Sequence, residues 1–548
     1  MVEIKKIKKH WFFLSCLFVI GVAAFLRLYK LGSVPHGMTW DEAAIGYNGF
    51  AVLTTRRDEW LVHFPISFKS FGDYKAPLSI YINGISTFIF GLNLWAVRLP
   101  FAIFGILSVI GLILLSKILL ERVTTKHKAQ QLSLFIGILS AFSPWSLHFS
   151  RVAFETGIAL TFFIWGILFL FSFLFSLKTT KKTWLFSFIA TFFLCSSLYS
   201  YHSAKIVVPL IICSIGVLYF SEVRKKVQII LANVALGLAL LVPLLRNSLY
   251  DAGNVRFDQV SLFGLHLAPQ EFASRIFDHI IAQFSPDYLF LGATTTLRHG
   301  DGHWGVLYPT TFFLVIVSVI FFTVHFLKKR NAGKDEKQTL FLLGLVWVCI
   351  GTLPAVIGQI VPHSNRAFLS LPGFFLLAAL GFDTFQSFLQ TSKLNKNVSG
   401  TKGERDLLVK SCVGMFIFLH GIFIIQYLHD YYSVYASETA TAFQDGYIEA
   451  FQYAQKYAPF VRKVLVTTKY GQPYIYLLFV NKINPILYQG GALYKYEYDD
   501  NIVAQDRLRP ETLGIAAASE IDAQPSDKKI YGSDGKVRFI IFNTPKVQ

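Results

Sequence analysis

APLSIYINGISTFIFGLNLW, residues 76–95, decides how the chain is threaded. The stretch is apolar enough to count as a membrane span, and counting it inverts every segment downstream. Yet it carries Asn83, Gly84, Ser86 and Asn93, which suit a bilayer core poorly. Leaving it out gives about eleven transmembrane helices, near 11–29, 97–119, 131–148, 155–177, 183–200, 205–220, 227–245, 306–327, 339–361, 367–385 and 408–428. From a cytoplasmic N-terminus, that count puts each basic connector on the cytoplasmic side: KILLERVTTKHK (117–128), KTTKK (178–182), EVRKK (222–226), KKRNAGKDEK (328–337) and KLNKNVSGTKGERDLLVK (393–410). Residues 77–91 are therefore expected as a helix in the outer interface, with Pro77 in its first turn.

Composition points the same way. Of 548 residues, 53% are hydrophobic, 16% aromatic and 15% charged, with a mean hydropathy of +0.49. A soluble domain carries about 25% charged residues. The excess lies in runs such as FAIFGILSVIGLILL (101–115) and TFFLVIVSVIFFTVHFL (311–327), long enough to span a bilayer. The net charge of +18 does not signal nucleic acid. Such binding needs a basic face interleaved with stacking aromatics, whereas here Lys and Arg gather in short loops between apolar spans. The five cysteines sit within or at the ends of apolar runs without a C-x-x-C pair, so no disulfide framework or zinc site is indicated. The opening MVEIKKIKKH with the apolar run behind it reads as a retained signal-anchor helix, because no small-residue cleavage site follows.

This reading gives a multi-pass protein of the cell membrane, with a transmembrane unit over 1–428 and a small soluble α/β domain over 429–548 outside the cytoplasm. Within the tail, VRKVLVTTK (461–469) and KVRFIIFNT (536–544) read as strands. The outer loops at 30–95 and 246–305 are the other large extracytoplasmic pieces.

The polar clusters fall at the outer ends of the spans. The first loop holds Asp41, Glu42 and Tyr47, then RRDEW (56–60) and FGDYKAP (71–77) with Lys75. FSRVAFE brings Arg151 and Glu155 at a spacing of four, which suits one helical face or an ordinary ion pair. LYSYHSAK brings Tyr201, His202 and Lys205, LRHGDGHWG brings Arg298, His299 and His303, and PHSNRAF brings His363 and Arg366. Several loops thus carry cations to one membrane face and two carry carboxylates. Lys is a compact phosphate binder and Arg a bidentate one, so the pattern suits a lipid-linked anion. A carboxylate among them suits a general base, and the cations suit the charge that develops on a leaving phosphate. Each cluster also has a plain reading, as a helix start, a snorkelling lysine or a solvated loop.

The residues from Pro35 to Gly105 resemble the first-loop signature of polyprenyl-phosphate-sugar-dependent glycosyltransferases of the GT-C fold. That family includes protein O-mannosyltransferases and the aminoarabinose transferase of lipid A. The matching elements are the Asp41-Glu42 pair with Tyr47 after it, RDEW with Pro65, YKAPL and FGLNLWAVRLP; SRVAFE matches a second element. The resemblance implies Asp41 as the base that activates the acceptor, with Glu42 as its neighbour and Glu155 as a second acidic residue of the site. It implies Lys75 as a contact of the donor phosphate; Arg98 fits the family's R-L-P motif but is read here as a structural residue at the start of the second span. Two features depart from the family: YKAP lacks the acidic residue before the lysine, and the soluble domain is C-terminal rather than inserted between later spans.

The expected function is therefore an inverting transfer of a sugar from a polyprenyl-phosphate carrier to an acceptor outside the cytoplasm, whether protein, lipid or cell-wall glycan. Expected substrate contacts are Lys75, Tyr47, Arg151, Tyr201, His202, Lys205, Arg298, His299, His363 and Arg366. No local motif fixes a metal site, and a divalent metal stays open. The alternative is a transporter or flippase of lipid-linked saccharides, which would place ionisable groups inside the spans; here they gather outside them.

Overall fold

The computed structural model describes residues 2–250, 255–292, 294–328, 335–391, 402–491 and 493–545. The basic stretches 329–334 and 393–401 lie outside the described residues.

All eleven expected spans fall on helices. These are α1 (Val2–Leu28), α4 (Leu94–Leu120), α5 (Lys126–Phe142), α7 (Glu155–Leu174), α8 (Lys181–Ser200), α9 (Ala204–Leu218), α10 (Val227–Tyr250), α12 (Pro309–Lys328), α13 (Glu336–Val356), α14 (Leu371–Thr391) and α15 (Lys402–Tyr432). Among the described residues, eight helices are long and apolar enough to cross a membrane. Three expected spans fall short by that measure. Helix α5 opens on a polar turn and stops at Ser143–Pro144, α8 is seeded with Ser and Thr, and α9 has 15 residues. Helix α7 packs between α4 and α8, and with α14 forms the most enclosed part of the bundle.

The stretch that decides the threading is a helix, α3 (Pro77–Phe90), with Pro77 in its first turn. Its 14 residues reach about 21 Å, short of the roughly 30 Å hydrocarbon core. Its polar residues turn inward: Asn83 Nδ2 donates to Val97 O at 2.6 Å, Ser86 Oγ to Ala96 O at 2.7 Å and Ser79 Oγ to Ser200 O at 3.2 Å. Ile85, Phe88, Ile89 and Phe90 are exposed instead. A helix with hidden polar groups and bare phenylalanines is built to lie against lipid. It crosses α2 (Trp40–Thr55) where Gly49 and Gly84 meet; a Cβ on Gly49 would stand 2.7 Å from Ile80 O, so neither position admits a side chain.

The tail folds on α16 (Tyr447–Tyr457) and α17 (Pro473–Asn481) around a five-stranded mixed sheet of order β4-β3-β5-β7-β6. The two strands read from the sequence are β3 (Lys463–Thr467) and β7 (Val537–Phe542); β4 (Tyr496–Asp499), β5 (Thr512–Ala517) and β6 (Lys528–Tyr531) complete the sheet. Strand β3 runs parallel to β4 and β5, and β7 antiparallel to β5 and β6. The tail shares a core with the first loop: Ile475, Leu478 and Phe479 of α17 pack in one cluster with Ala43, Ala44 and Tyr47 of α2. A short hairpin, β1 (Phe68–Ser70) with β2 (Asp73–Lys75), closes the first loop beside them.

Candidate active site

Helix α2 separates the two acidic residues at its start. Thr39 caps it, accepting from Glu42 N at 3.1 Å while Glu42 Oε2 accepts from Thr39 N at 3.1 Å, a reciprocal capping box. The same Glu42 carboxylate takes Arg98 Nε at 2.8 Å, Arg98 Nη2 at 3.1 Å and Ala153 N at 3.2 Å. Both partners of this pair are buried. Arg98 spends its remaining donors on Pro35 O and Gly37 O. Glu42 is thus the pin that fixes the first loop to α4, and the structure brings it to Arg98 rather than to open space.

Asp41, about 100° further round the helix, faces a cavity of about 830 Å3. Lys75 Nζ of β2 meets its Oδ1 at 2.6 Å, and Arg298 Nη1 stands 4.0 Å from its Oδ2. Arg298 is held in turn, donating from Nε to Ala442 O at 2.8 Å, with its guanidinium 3.9 Å above the Trp40 ring. Burial lowers its pKa, and the neighbouring Asp41 opposes that shift.

Of the other residues expected from the sequence, Glu155, Tyr201, His299, His363 and Arg366 line the same cavity. Glu155 starts α7. The His299 and His363 rings lie 4.7 Å apart. Burial, with His148, Arg298 and Arg366 nearby, pushes His299 down to about 3, so near neutral pH it is a hydrogen-bonding imidazole and not a cation. Tyr201 and Arg366 also line a second cavity of about 210 Å3, shared with His202, Lys205, Phe257 and Ile357. His202 is tied to the hairpin through Tyr74 O at 2.9 Å.

Two of the expected residues lie elsewhere. Arg151 precedes the helix that Glu155 opens, so the two do not share a helical face. Its guanidinium is buried against the C-terminus of α1, donating to Leu26 O at 2.6 Å, Arg27 O at 3.1 Å and Val34 O at 3.0 Å. A cation there satisfies carbonyls that the helix leaves unpaired. Tyr47 is buried towards the tail, its hydroxyl donating to Ile483 O at 2.6 Å. The cavity also includes residues not singled out from the sequence: Trp40, Asp73 and Asn365, and from the tail Thr441, Gln444, Thr468, Lys469 and Tyr470. Trp40 and Asp73 stand inside the first-loop motifs, but nothing in the tail sequence points to a site.

Among the described residues, no three His, Cys, Asp or Glu side chains converge as a metal site. Asp41 has Lys75 and Arg298 as its neighbouring cations. The arrangement offers a carboxylate oriented by two cations, further cations on the adjoining wall, and a side cavity that is part basic and part apolar.

No protein-family model matches the sequence, and no curated protein matches it. Solved structures do. The crystal structure of ArnT from Cupriavidus metallidurans bound to undecaprenyl phosphate superposes with a TM-score of 0.51 at 10% identity, covering 97% of this chain and 99% of that one. Its apo form gives 0.50 at 10% identity, covering 96% and 97%. The apo oligosaccharyltransferase of Archaeoglobus fulgidus gives 0.49 at 13% identity over 86% of this chain, which spans 64% of that longer chain. ArnT therefore matches along nearly its whole length, tail included, and the chain has the GT-C fold that its first-loop motifs resemble.

Proposed function

We propose that the protein is an integral-membrane glycosyltransferase that moves a sugar, with inversion, from a polyprenyl-phosphate carrier to an acceptor outside the cytoplasm. The observation that carries this reading is the join between the two cavities. Tyr201 and Arg366 border both, so an anionic head group in the larger one adjoins a smaller one that mixes Lys205 and His202 with Phe257, Val260 and Ile357. Cations beside apolar side chains suit a phosphate carried on an isoprenoid. Solved ArnT binds undecaprenyl phosphate, which supports a lipid-linked donor of this kind.

In the proposed reaction the acceptor oxygen attacks the anomeric carbon from the face opposite the carrier. Its proton passes to Asp41, and the bond from that carbon to the phosphate oxygen breaks with its electron pair going to the phosphate. Asp41, oriented by Lys75, is the base; Glu155 is a second carboxylate of the site. Lys75, Arg298 and Arg366 meet the charge of the departing phosphate, and His299 offers a neutral imidazole for hydrogen bonding, with the His363 ring 4.7 Å away. The cavity belongs to the face opposite the basic connectors. Arg98, the buried partner of Glu42 next to Asp41, lies near the start of α4, and Lys117 lies near the other end of that 27-residue helix, roughly 40 Å long. By the positive-inside rule the N-terminus is cytoplasmic and the tail extracytoplasmic.

The test is transfer of label from a panel of polyprenyl-phosphate sugars to envelope material by the purified full chain. Transfer from one donor that Asp41→Asn abolishes, with donor binding retained, is expected. Equal transfer by the variant removes Asp41 as base. Label that only crosses the bilayer of a proteoliposome, with no transfer, would replace the transferase with a transporter.

A further inference from the structure

One wall of the larger cavity is not made by the membrane helices. It comes from the tail, chiefly from the turn Thr468–Gly471 that joins β3 to α17. The turn is closed by Gly471 N donating to Thr468 O at 2.9 Å, and Lys469 N donates to Thr467 Oγ1 at 3.1 Å. Thr467 Oγ1 donates in turn to Glu520 Oε1 at 3.0 Å. Gly471 has a φ of +116°, and a Cβ there would stand 2.2 Å from the Trp40 ring, so the turn is seated on the residue that precedes Asp41. That same ring carries Arg298. The turn is thereby locked to the reacting end of the site.

Lys469 projects from this turn as an exposed residue of the cavity wall. Lys463, at the start of β3, pairs with Glu497 at 2.6 Å, whereas among the described residues no carboxylate lies within 4 Å of Lys469 Nζ. A lysine held into a cavity without a carboxylate partner is a point charge open to an anion. On the reading above the donor is not that anion. Its isoprenoid keeps it in the bilayer, so its phosphate belongs by the smaller, partly apolar cavity, where Lys205 of α9 and Arg366 stand. The tail meets the cavity instead through Thr441, Ala442, Gln444 and the turn Thr468–Gly471.

We propose that Thr468–Gly471 forms the acceptor subsite and that Lys469 selects an acceptor bearing a phosphate or carboxylate group near the hydroxyl that receives the sugar. The inference rests on the transferase reading. Thr468 and Gln444 supply polar contacts beside the charge. Such an anion belongs to a phospholipid head group or to an acidic envelope polymer.

The experiment uses the full chain with the donor found active in the panel, and envelope acceptor split into an organic-soluble lipid fraction and an insoluble polymer fraction. Lys469→Ala should raise the acceptor KM roughly tenfold or more, the scale of one lost charge-assisted hydrogen bond, and Lys469→Glu further still. Lys469→Arg should restore it, and donor KM should stay put throughout. Lys463→Ala, outside the cavity, should leave acceptor KM unchanged. Phosphatase-treated or carboxyl-amidated acceptor should react equally with wild type and Lys469→Ala. Label in the lipid fraction or in the polymer fraction then names the source of the anion. Wild-type transfer with unchanged acceptor KM in Lys469→Ala and Lys469→Glu would overturn the inference while leaving the transferase reading intact. Wild type that transfers from no donor would bring down that reading and the inference with it.

Discussion

Asp41 and Glu42 are neighbours in sequence and opposites in environment. Glu42 is buried with five hydrogen-bonding approaches around it, from Arg98, Thr39 and Ala153. Asp41 is 39% exposed, fixed on one oxygen by Lys75 and left facing a cavity on the other side. A helix turns about 100° per residue, so one step of chain separates a buried structural pin from a carboxylate that lines the cavity. On the proposed reaction the two members divide the work, Glu42 holding the loop still and Asp41 taking the proton.

That comparison can be broken at either member. Asp41→Asn is expected to cost the most in activity, about 10²- to 10⁴-fold in transfer, the usual worth of a general base. Its melting temperature should hardly move, because Asn keeps an oxygen for Lys75 Nζ. Glu42→Ala should do the reverse, leaving the Arg98 guanidinium buried without its carboxylate at about 3–5 kcal/mol of stability. Thermal unfolding in detergent reads this directly. Replacing both Glu42 and Arg98 with apolar residues of similar volume should recover most of that loss. If Glu42→Ala folds as well as wild type and only activity falls, the division of labour between the two carboxylates is wrong.

A third carboxyl sharpens the contrast. Glu59, from RDEW, is buried with Trp60 Nε1 on one oxygen at 3.1 Å and no partner on the other. Burial, and the charge of Asp58 beside it, push its pKa up to about 8 from 4.5. The folded state therefore holds a proton that the unfolded chain releases. Its contribution is fully present below about pH 4.5 and is lost as pH rises to about 8, near 1.4 kcal/mol for each unit in that window. Wild type minus Glu59→Gln should show this slope in denaturation midpoints between pH 5 and 8, and level off above it. A difference that does not change with pH would mean Glu59 is ionised throughout.

Much of this was legible in the sequence. Apolar runs and basic connectors locate the helices, and Asn83 and Ser86 within 76–95 mark a helix that turns its polar groups onto α4. The cavity members among the polar clusters were legible because each sits at a helix end or in a loop beside it, where a charge is tolerated. Arg151 and Tyr47 lie away from the cavity lining for a common reason. Sequence spacing gives the face of a helix, but Arg151 lies in a turn before α7, and Tyr47 is buried by a domain more than 400 residues away. The tail wall was invisible for the same cause, since a turn between a strand and a helix carries no periodic signal. Only the docking of Gly471 onto Trp40 brings Lys469 to the site.

Tyr47 offers the smallest effect and the sharpest distinction between contact and support. A tyrosine after the acidic pair was expected to touch substrate, yet its hydroxyl donates to Ile483 O at 2.6 Å and so joins α2 to the end of α17. Tyr47→Phe removes one buried neutral hydrogen bond and leaves a carbonyl without its donor, a cost of about 1 kcal/mol or somewhat more. If the bond is a tie between the first loop and the tail, amide exchange should quicken in residues 473–483 while donor and acceptor KM hold. If the hydroxyl instead reaches substrate, KM should rise with exchange unchanged. The first outcome matters beyond one residue. The same tail element begins at the turn that carries Lys469, so a tie at Ile483 steadies the wall from behind, and a loosened tail should blunt acceptor selection before it blunts catalysis.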